Sequence, residues 1–237
     1  MELLEIILIT ALAPIAVLAF YIYRKDKASP EPLGELVKAL AYGVLSALVS
    51  YCISLPSGVL GLYPQEATDA IGGIRVAFFG AAIPEEVAKL FMLWLLLRKS
   101  RHFDEKMDGI VYAVCISLGF AAFENVLYLL TNVDSFLQVG VSRAIFAVPG
   151  HFCFGVLMGY YYSLAKFCPE NVNRYKALTL VAPILAHGIY DALLFVAEVT
   201  PLLSGILSLL FYAFCFLMWR RASKSIKAHL VADGHQK

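Results

Sequence analysis

Apolar runs of about twenty residues follow one another along the chain, parted by short polar stretches. A helix needs a run of that length to cross a bilayer. The pattern predicts seven spans, at residues 1–23, 36–55, 74–97, 108–130, 138–165, 177–199 and 201–219. Basic residues fall in alternate gaps. Arg24, Lys25 and Lys27 follow the first run, and Arg98, Lys99, Arg101 and Lys106 follow the third. Lys166, Arg174 and Lys176 follow the fifth, and Arg220, Arg221, Lys224 and Lys227 follow the last. The other gaps carry only Arg75, at one edge. Positive charge marks the cytoplasmic side. The expected architecture is therefore an all-α, polytopic transmembrane helical bundle with its N-terminus outside and its C-terminus cytoplasmic. The first run has its positive charge behind it, whereas a cleavable signal peptide has it in front. It reads as a retained span.

Composition narrows the class further. The 237 residues are 60% hydrophobic and 16% charged, against about 25% charged in a soluble domain. The expected location is the cell membrane, as a multi-pass protein in contact with the lipid bilayer. The formal net charge of +1 implies no nucleic acid or other bulk polyanion as partner. Cys52, Cys115, Cys153, Cys168 and Cys215 show no metal-ligand spacing and read as small hydrophobes without a disulfide framework. No internal repeat is evident. Residues 1–237 read as a single integral membrane domain, with core helices over 74–199 and a short cytoplasmic tail at 220–237, too short to fold alone.

Charge inside the apolar runs changes the picture. The third span carries Glu85, Glu86 and Lys89. A charged group at mid-bilayer costs roughly 2.5–3.5 kcal/mol even on the lenient insertion scale. Three within five residues must face protein or a wet cavity. Glu85 lies roughly 19 Å from the inner end of its helix, Glu124 roughly 24 Å, His151 near 21 Å and His187 near 15 Å, at 1.5 Å per residue. Four consecutive spans thus deliver ionisable groups to one slab of the membrane. His187 and Asp191 are four residues apart and share a helix face, so Asp191 is placed to orient His187. Glu85 and Glu86 sit about 100° apart around their helix, which predicts that only one points into the site while the other pairs with Lys89 or braces a neighbouring helix. Arg143 lies near the outer interface and reads as snorkelling. Pro84, Pro149 and Pro183 each precede one of these groups, and Gly119 and Gly155-x-x-x-Gly159 permit close helix approach.

Carboxylates and imidazoles in a low-dielectric cavity suit the activation of water. A glutamate there is a competent general base, and a histidine can stabilise a developing oxyanion. Alternatively Glu124, His151 and His187 hold a metal that activates the water. HExxH is absent, so such a site would be assembled from separate helices. The rival reading is a proton- or ion-coupled transporter that uses the same Glu/His/Asp groups as a relay; the lack of an inverted repeat argues against it.

Pro84-Glu85-Glu86-x-x-Lys89, Phe120-x-x-x-Glu124-Asn125, His151 and His187-x-x-x-Asp191, in that order and each within a span, resemble the PrsW family. That family is similar to the larger CAAX-protease and bacteriocin-processing group. The resemblance covers about residues 74–199. It implies an intramembrane endopeptidase that makes the first, extracytoplasmic cut in a single-pass anti-sigma factor, as part of regulated intramembrane proteolysis in a stress response. It further implies Glu85 as the base, with Glu86 as an equally essential partner or the alternative base. His151 and His187 would polarise the scissile carbonyl or bind a metal, and Asp191 would orient His187. Lys89 and Asn125 would support them. The wider group shows EExxxR and FxxxH where this chain has Glu-Glu-x-x-Lys and Glu124, which leaves the role of Glu124 and the cofactor, none or zinc, open.

Overall fold

A computed structural model describes residues 2–234, and every regular element among them is helical. The helices are α1 (Leu3–Lys25), α2 (Leu33–Val59), α3 (Ala70–Arg75), α4 (Ile83–Leu97), α5 (Lys106–Thr131), α6 (Phe136–Ser142), α7 (Val148–Phe167), α8 (Val172–Val199) and α9 (Ser204–Ala232). Six helical stretches are long and apolar enough to cross a membrane: α1, α2, α5, Val133–Phe167, α8 and α9.

The third predicted span, 74–97, lies in an unbroken helical stretch in three pieces. A π-helical segment, Val76–Ala82, joins α3 to α4, and α4 alone has only 15 residues. A second π segment, Arg143–Ala147, joins α6 to α7. Both stand immediately ahead of a proline in the first turn of the next helix, Pro84 and Pro149. Proline lacks the N–H that would close an α turn, and its ring crowds the carbonyl four residues back. The wider π turn accommodates both faults. These irregular turns lead directly into the acidic pair of α4 and into His151 of α7.

α5 is the hub. In its most apolar window 72% of residues are buried, against 17% for α1 and 11% for α9. It packs against α7, α2 and α1, and α7 in turn packs against α8 and α9. Exposed leucines, valines and phenylalanines on α1, α2 and α9 are the lipid-facing surface of such a bundle. Two crossings bring backbones together. A Cβ on Gly119 would lie 2.0 Å from the Leu40 carbonyl oxygen of α2, and one on Gly159 would lie 2.2 Å from the Gly109 carbonyl oxygen of α5. Only glycine fits at either place.

The polar tail departs from expectation. Instead of ending at Trp219, α9 continues to Ala232, burying Ala222, Ile226, His229 and Leu230. Asp233 then accepts hydrogen bonds from the backbone N–H groups of Lys106 (3.2 Å) and Met107 (2.9 Å), capping the start of α5. The basic residues of this segment sit on an amphipathic helix that has a core to pack on. Positions 235–237 of the predicted tail lie outside the described residues.

Candidate active site

The acids and imidazoles of spans three to six meet. Lys89 is the centre of the assembly, with no exposed surface. Its ammonium donates to Glu86 Oε1 at 2.8 Å, to Glu85 Oε2 at 3.4 Å and to His151 Nδ1 at 3.1 Å. It also lies 4.1 Å above the centre of the Phe120 ring, which gives the phenylalanine of Phe120-x-x-x-Glu124-Asn125 a physical role as a cation–π platform. Both glutamates flank Lys89, one three and one four residues before it. The pairing with Lys89 is thus shared by both glutamates rather than left to one of them. Positions i+3 and i+4 lie on either side of a helix face, and two long side chains reach the same ammonium from both sides.

An ammonium only donates, so His151 Nδ1 accepts from Lys89. The ring proton then sits on Nε2, which faces Glu124 Oε2 at 3.0 Å. His187 presents Nδ1 to Glu86 Oε1 at 2.9 Å and Nε2 to Asp191 Oδ2 at 3.2 Å, with Glu85 Oε2 at 3.9 Å from the same nitrogen. The Phe154 ring stacks on His187 with centroids 4.7 Å apart. Asp191 is thus in contact with His187, as the helical spacing predicts.

Arg143 was expected at the lipid interface and is instead a member of the site. Its Nη2 donates to Glu124 Oε2 at 2.6 Å and its Nε to Asn125 Oδ1 at 2.6 Å. Asn125 completes the tie by donating to the Ala11 carbonyl of α1 at 3.1 Å. The sequence held a signal for this: the preceding gap, 131–137, has no basic residue, so a lone arginine just beyond it calls for a buried partner.

A cavity of about 420 Å³ opens over the assembly, lined among others by Glu85, Glu124, Arg143, His151, His187 and Asp191. Glu86 does not line it and has no exposed surface. A second hollow of about 60 Å³ touches Ser50, Tyr51, Glu85 and Glu124, which is room for a water molecule. A larger cavity of about 680 Å³, lined by Trp94, Phe103 and Lys166 among others, holds none of these groups.

A metal would find its donors in a different set from the one the sequence suggested. Glu85, Glu86 and His187 each bring a ligand atom within 4.8 Å of one another, whereas Glu124, His151 and His187 form no such group among the described residues. Arg143 holds Glu124, and Lys89 occupies His151 Nδ1. The new set has carboxylate and imidazole donors, as zinc sites do, and Glu86 Oε2 is buried without a hydrogen-bond partner. These residues fit a divalent ion.

A membrane bundle whose buried carboxylates and imidazoles converge on an accessible hollow has the groups to activate water inside the bilayer. The chain belongs to the PrsW family: the model described as PrsW family intramembrane metalloprotease matches residues 31–219. Protease PrsW of Geobacillus kaustophilus is 33% identical over 91% of this chain and 88% of its own length. Protease PrsW of Clostridioides difficile is 35% identical over 78% of each chain. Protease PrsW of Bacillus subtilis is 33% identical over 95% of this chain and 96% of its own. No solved structure matches the chain significantly. The protein is an intramembrane protease and a multi-pass membrane protein, and the transporter reading is not favoured.

Proposed function

We propose that the protein hydrolyses a peptide bond of a single-pass membrane protein, an anti-sigma factor, with Glu85 as the group that takes the proton from the attacking water. One observation carries the choice of Glu85 over Glu86: Glu85 lines the cavity, and Glu86 is sealed beneath it. Water attacks the scissile carbonyl carbon, its proton passes to Glu85, and the carbonyl oxygen gathers negative charge. The leaving amine then takes up a proton as the C–N bond breaks.

The developing oxyanion needs a donor that is still free. His151 has both ring nitrogens engaged, and so has His187. Arg143 has five N–H donors, spends two on Glu124 and Asn125, and lines the cavity. It is the side chain best placed to stabilise that charge. Asp191 and Glu86 orient His187, and Lys89 holds Glu86 and His151 in place. A divalent ion, where bound, would be held by Glu85, Glu86 and His187 and would supply Lewis acidity to the water or the carbonyl. Glu85 remains the carboxylate that lines the cavity and takes the proton of the water.

The membrane orientation follows from loop charge, with the N-terminus outside and the cavity in the outward half, so the cut falls on the extracytoplasmic side of the substrate. The test is co-expression with the host's single-pass anti-sigma factors. A truncated fragment should appear with the wild-type chain and not with Glu85→Gln. An anti-sigma factor left whole while another single-pass protein is cut would keep the protease and discard this substrate.

A further inference from the structure

At the other end of α5 lies a second acidic cluster, with no part in the site above. Asp108, in the first turn of α5, is 16 positions before Glu124, or roughly 24 Å along the helix. Asp26 ends α1, Glu31 lies in the link to α2, and Asp104 lies in the link to α5. Ligand oxygens of Glu31, Asp104 and Asp108 all fall within 4.8 Å of one another. Two oxygens bound to one calcium ion at about 2.4 Å can stand at most about 4.8 Å apart, so this spacing is compatible with a common centre.

An acidic cluster alone says little, but Asp26 adds a separate observation. Its side chain is buried, the residue being 1% exposed. Neither carboxylate oxygen has a hydrogen-bond partner within bonding geometry; the backbone of Glu31 favours its anion, against the effect of burial. The neighbours that act on it most strongly are Asp108 and Glu105, both acidic, with Asp233 beyond. A buried carboxylate aimed at other carboxylates is a costly arrangement without a counter-ion.

Among the described residues no basic side chain forms an ion pair with this cluster: no lysine, arginine or histidine nitrogen lies within 4.0 Å of Asp26, Glu31, Asp104 or Asp108, and the nearby Lys106 reaches Asp233 instead at 3.9 Å. Lys166 feels the charge of Asp108 and Asp104, yet its ammonium donates to the Phe103 carbonyl. Glu31 accepts from the Tyr112 hydroxyl, and one oxygen of Asp108 accepts the backbone N–H groups of Asp104 (2.9 Å) and Glu105 (2.6 Å). These bonds orient the carboxylates, and the Glu31 and Asp108 carboxyl groups also contact each other.

We propose that Glu31, Asp104 and Asp108 bind a hard divalent cation, calcium or magnesium, that clamps the α1–α2 link to the start of α5, with the buried carboxylate of Asp26 beside it as a further negative charge. The donors are all oxygen, which selects hard cations over zinc or copper. The cation joins two segments distant in sequence, at the point where the end of α9 also docks through Asp233.

The test uses the full chain in detergent or nanodiscs, stripped with chelator and then given calcium or magnesium chloride. Thermal unfolding should shift upward by roughly 5 °C at saturating cation, and equilibrium dialysis should count one bound ion per chain. Asp104 is exposed, so Asp104→Asn folds and should weaken binding at least tenfold; Glu31→Gln should abolish it. Glu85→Gln, at the other site, should keep both the shift and the bound ion. The proposal is overturned if neither ion moves the unfolding temperature of the stripped wild-type chain. It is equally overturned if the shift survives intact in Asp104→Asn and Glu31→Gln while Glu85→Gln removes it.

Discussion

His187 Nδ1 lies 2.9 Å from Glu86 Oε1, on the side of the ring that leads away from the cavity. Glu86 also accepts from Lys89 at 2.8 Å, so one carboxylate braces both an imidazole and a buried ammonium. Glu85 reaches the same ammonium but faces the hollow. The two adjacent glutamates therefore divide into a reacting group and a supporting one. Removing either should silence proteolysis. Only Glu86→Ala should also unfold the bundle more readily, by about 3–5 kcal/mol, because it strips a buried charge pair. Glu85→Gln keeps its shape and leaves Lys89 its closer partner, so its unfolding temperature should stay near wild type. Thermal unfolding beside a cleavage assay separates the roles, and equal destabilisation by both would erase the distinction.

Arg143 gives a sharper test of geometry than of charge. Arg143→Lys retains the cation but cannot serve Glu124 and Asn125 with one planar fork while a further N–H faces the cavity. Cleavage should fall roughly 100-fold, the scale of a misplaced reacting group. Arg143→Ala should be no more active. Wild-type rates in the lysine variant would reduce Arg143 to a counter-charge for Glu124.

Gly119 couples packing to function. A side chain there meets the Leu40 carbonyl of α2 at 2.0 Å, a backbone atom that cannot swing aside. Gly119→Leu should push α5 from α2 at a cost of about 1–3 kcal/mol and displace Glu124, which stands little more than one helical turn further along. A lowered unfolding temperature together with lowered activity is the expected pair. Full activity in a destabilised variant would show that the site tolerates movement of α5.

The fitted metal donors make their own prediction. Exhaustive chelation should abolish cleavage, and zinc should restore it, while calcium or magnesium should not. Substitution of Glu124 with glutamine should leave zinc affinity nearly unchanged, because Glu124 is held by Arg143 and His151 and is not among the clustered donors. Zinc content measured per chain in both forms checks this.

The spans were legible because apolar runs of bilayer length leave little choice of structure, and the shared depth of Glu85, Glu124, His151 and His187 followed from counting residues along straight helices. What the count missed came from departures from straight helices and from contacts between them. The π turns before Pro84 and Pro149 have no hydrophobic signature, so the third span looked uniform. The tail looked isolated because its apolar positions, such as Ile226 and Leu230, are sparse and pack on a core built by other segments. Arg143 was misplaced because a side chain near a helix end looks interfacial until its partners, Glu124 and Asn125, are seen on the neighbouring helix. The pairing of both glutamates with Lys89 depends on side-chain reach, which angular position on a helix does not convey.

The account rests on a single hollow where Glu85 activates water against a peptide bond. Its most direct test places the purified chain in liposomes with one single-pass membrane protein substrate and follows the appearance of the cleaved fragment. The wild-type chain should cut, and Glu85→Gln, folded to the same unfolding temperature, should cut at least a thousandfold more slowly. Cleavage by that variant at the wild-type rate would contradict the account.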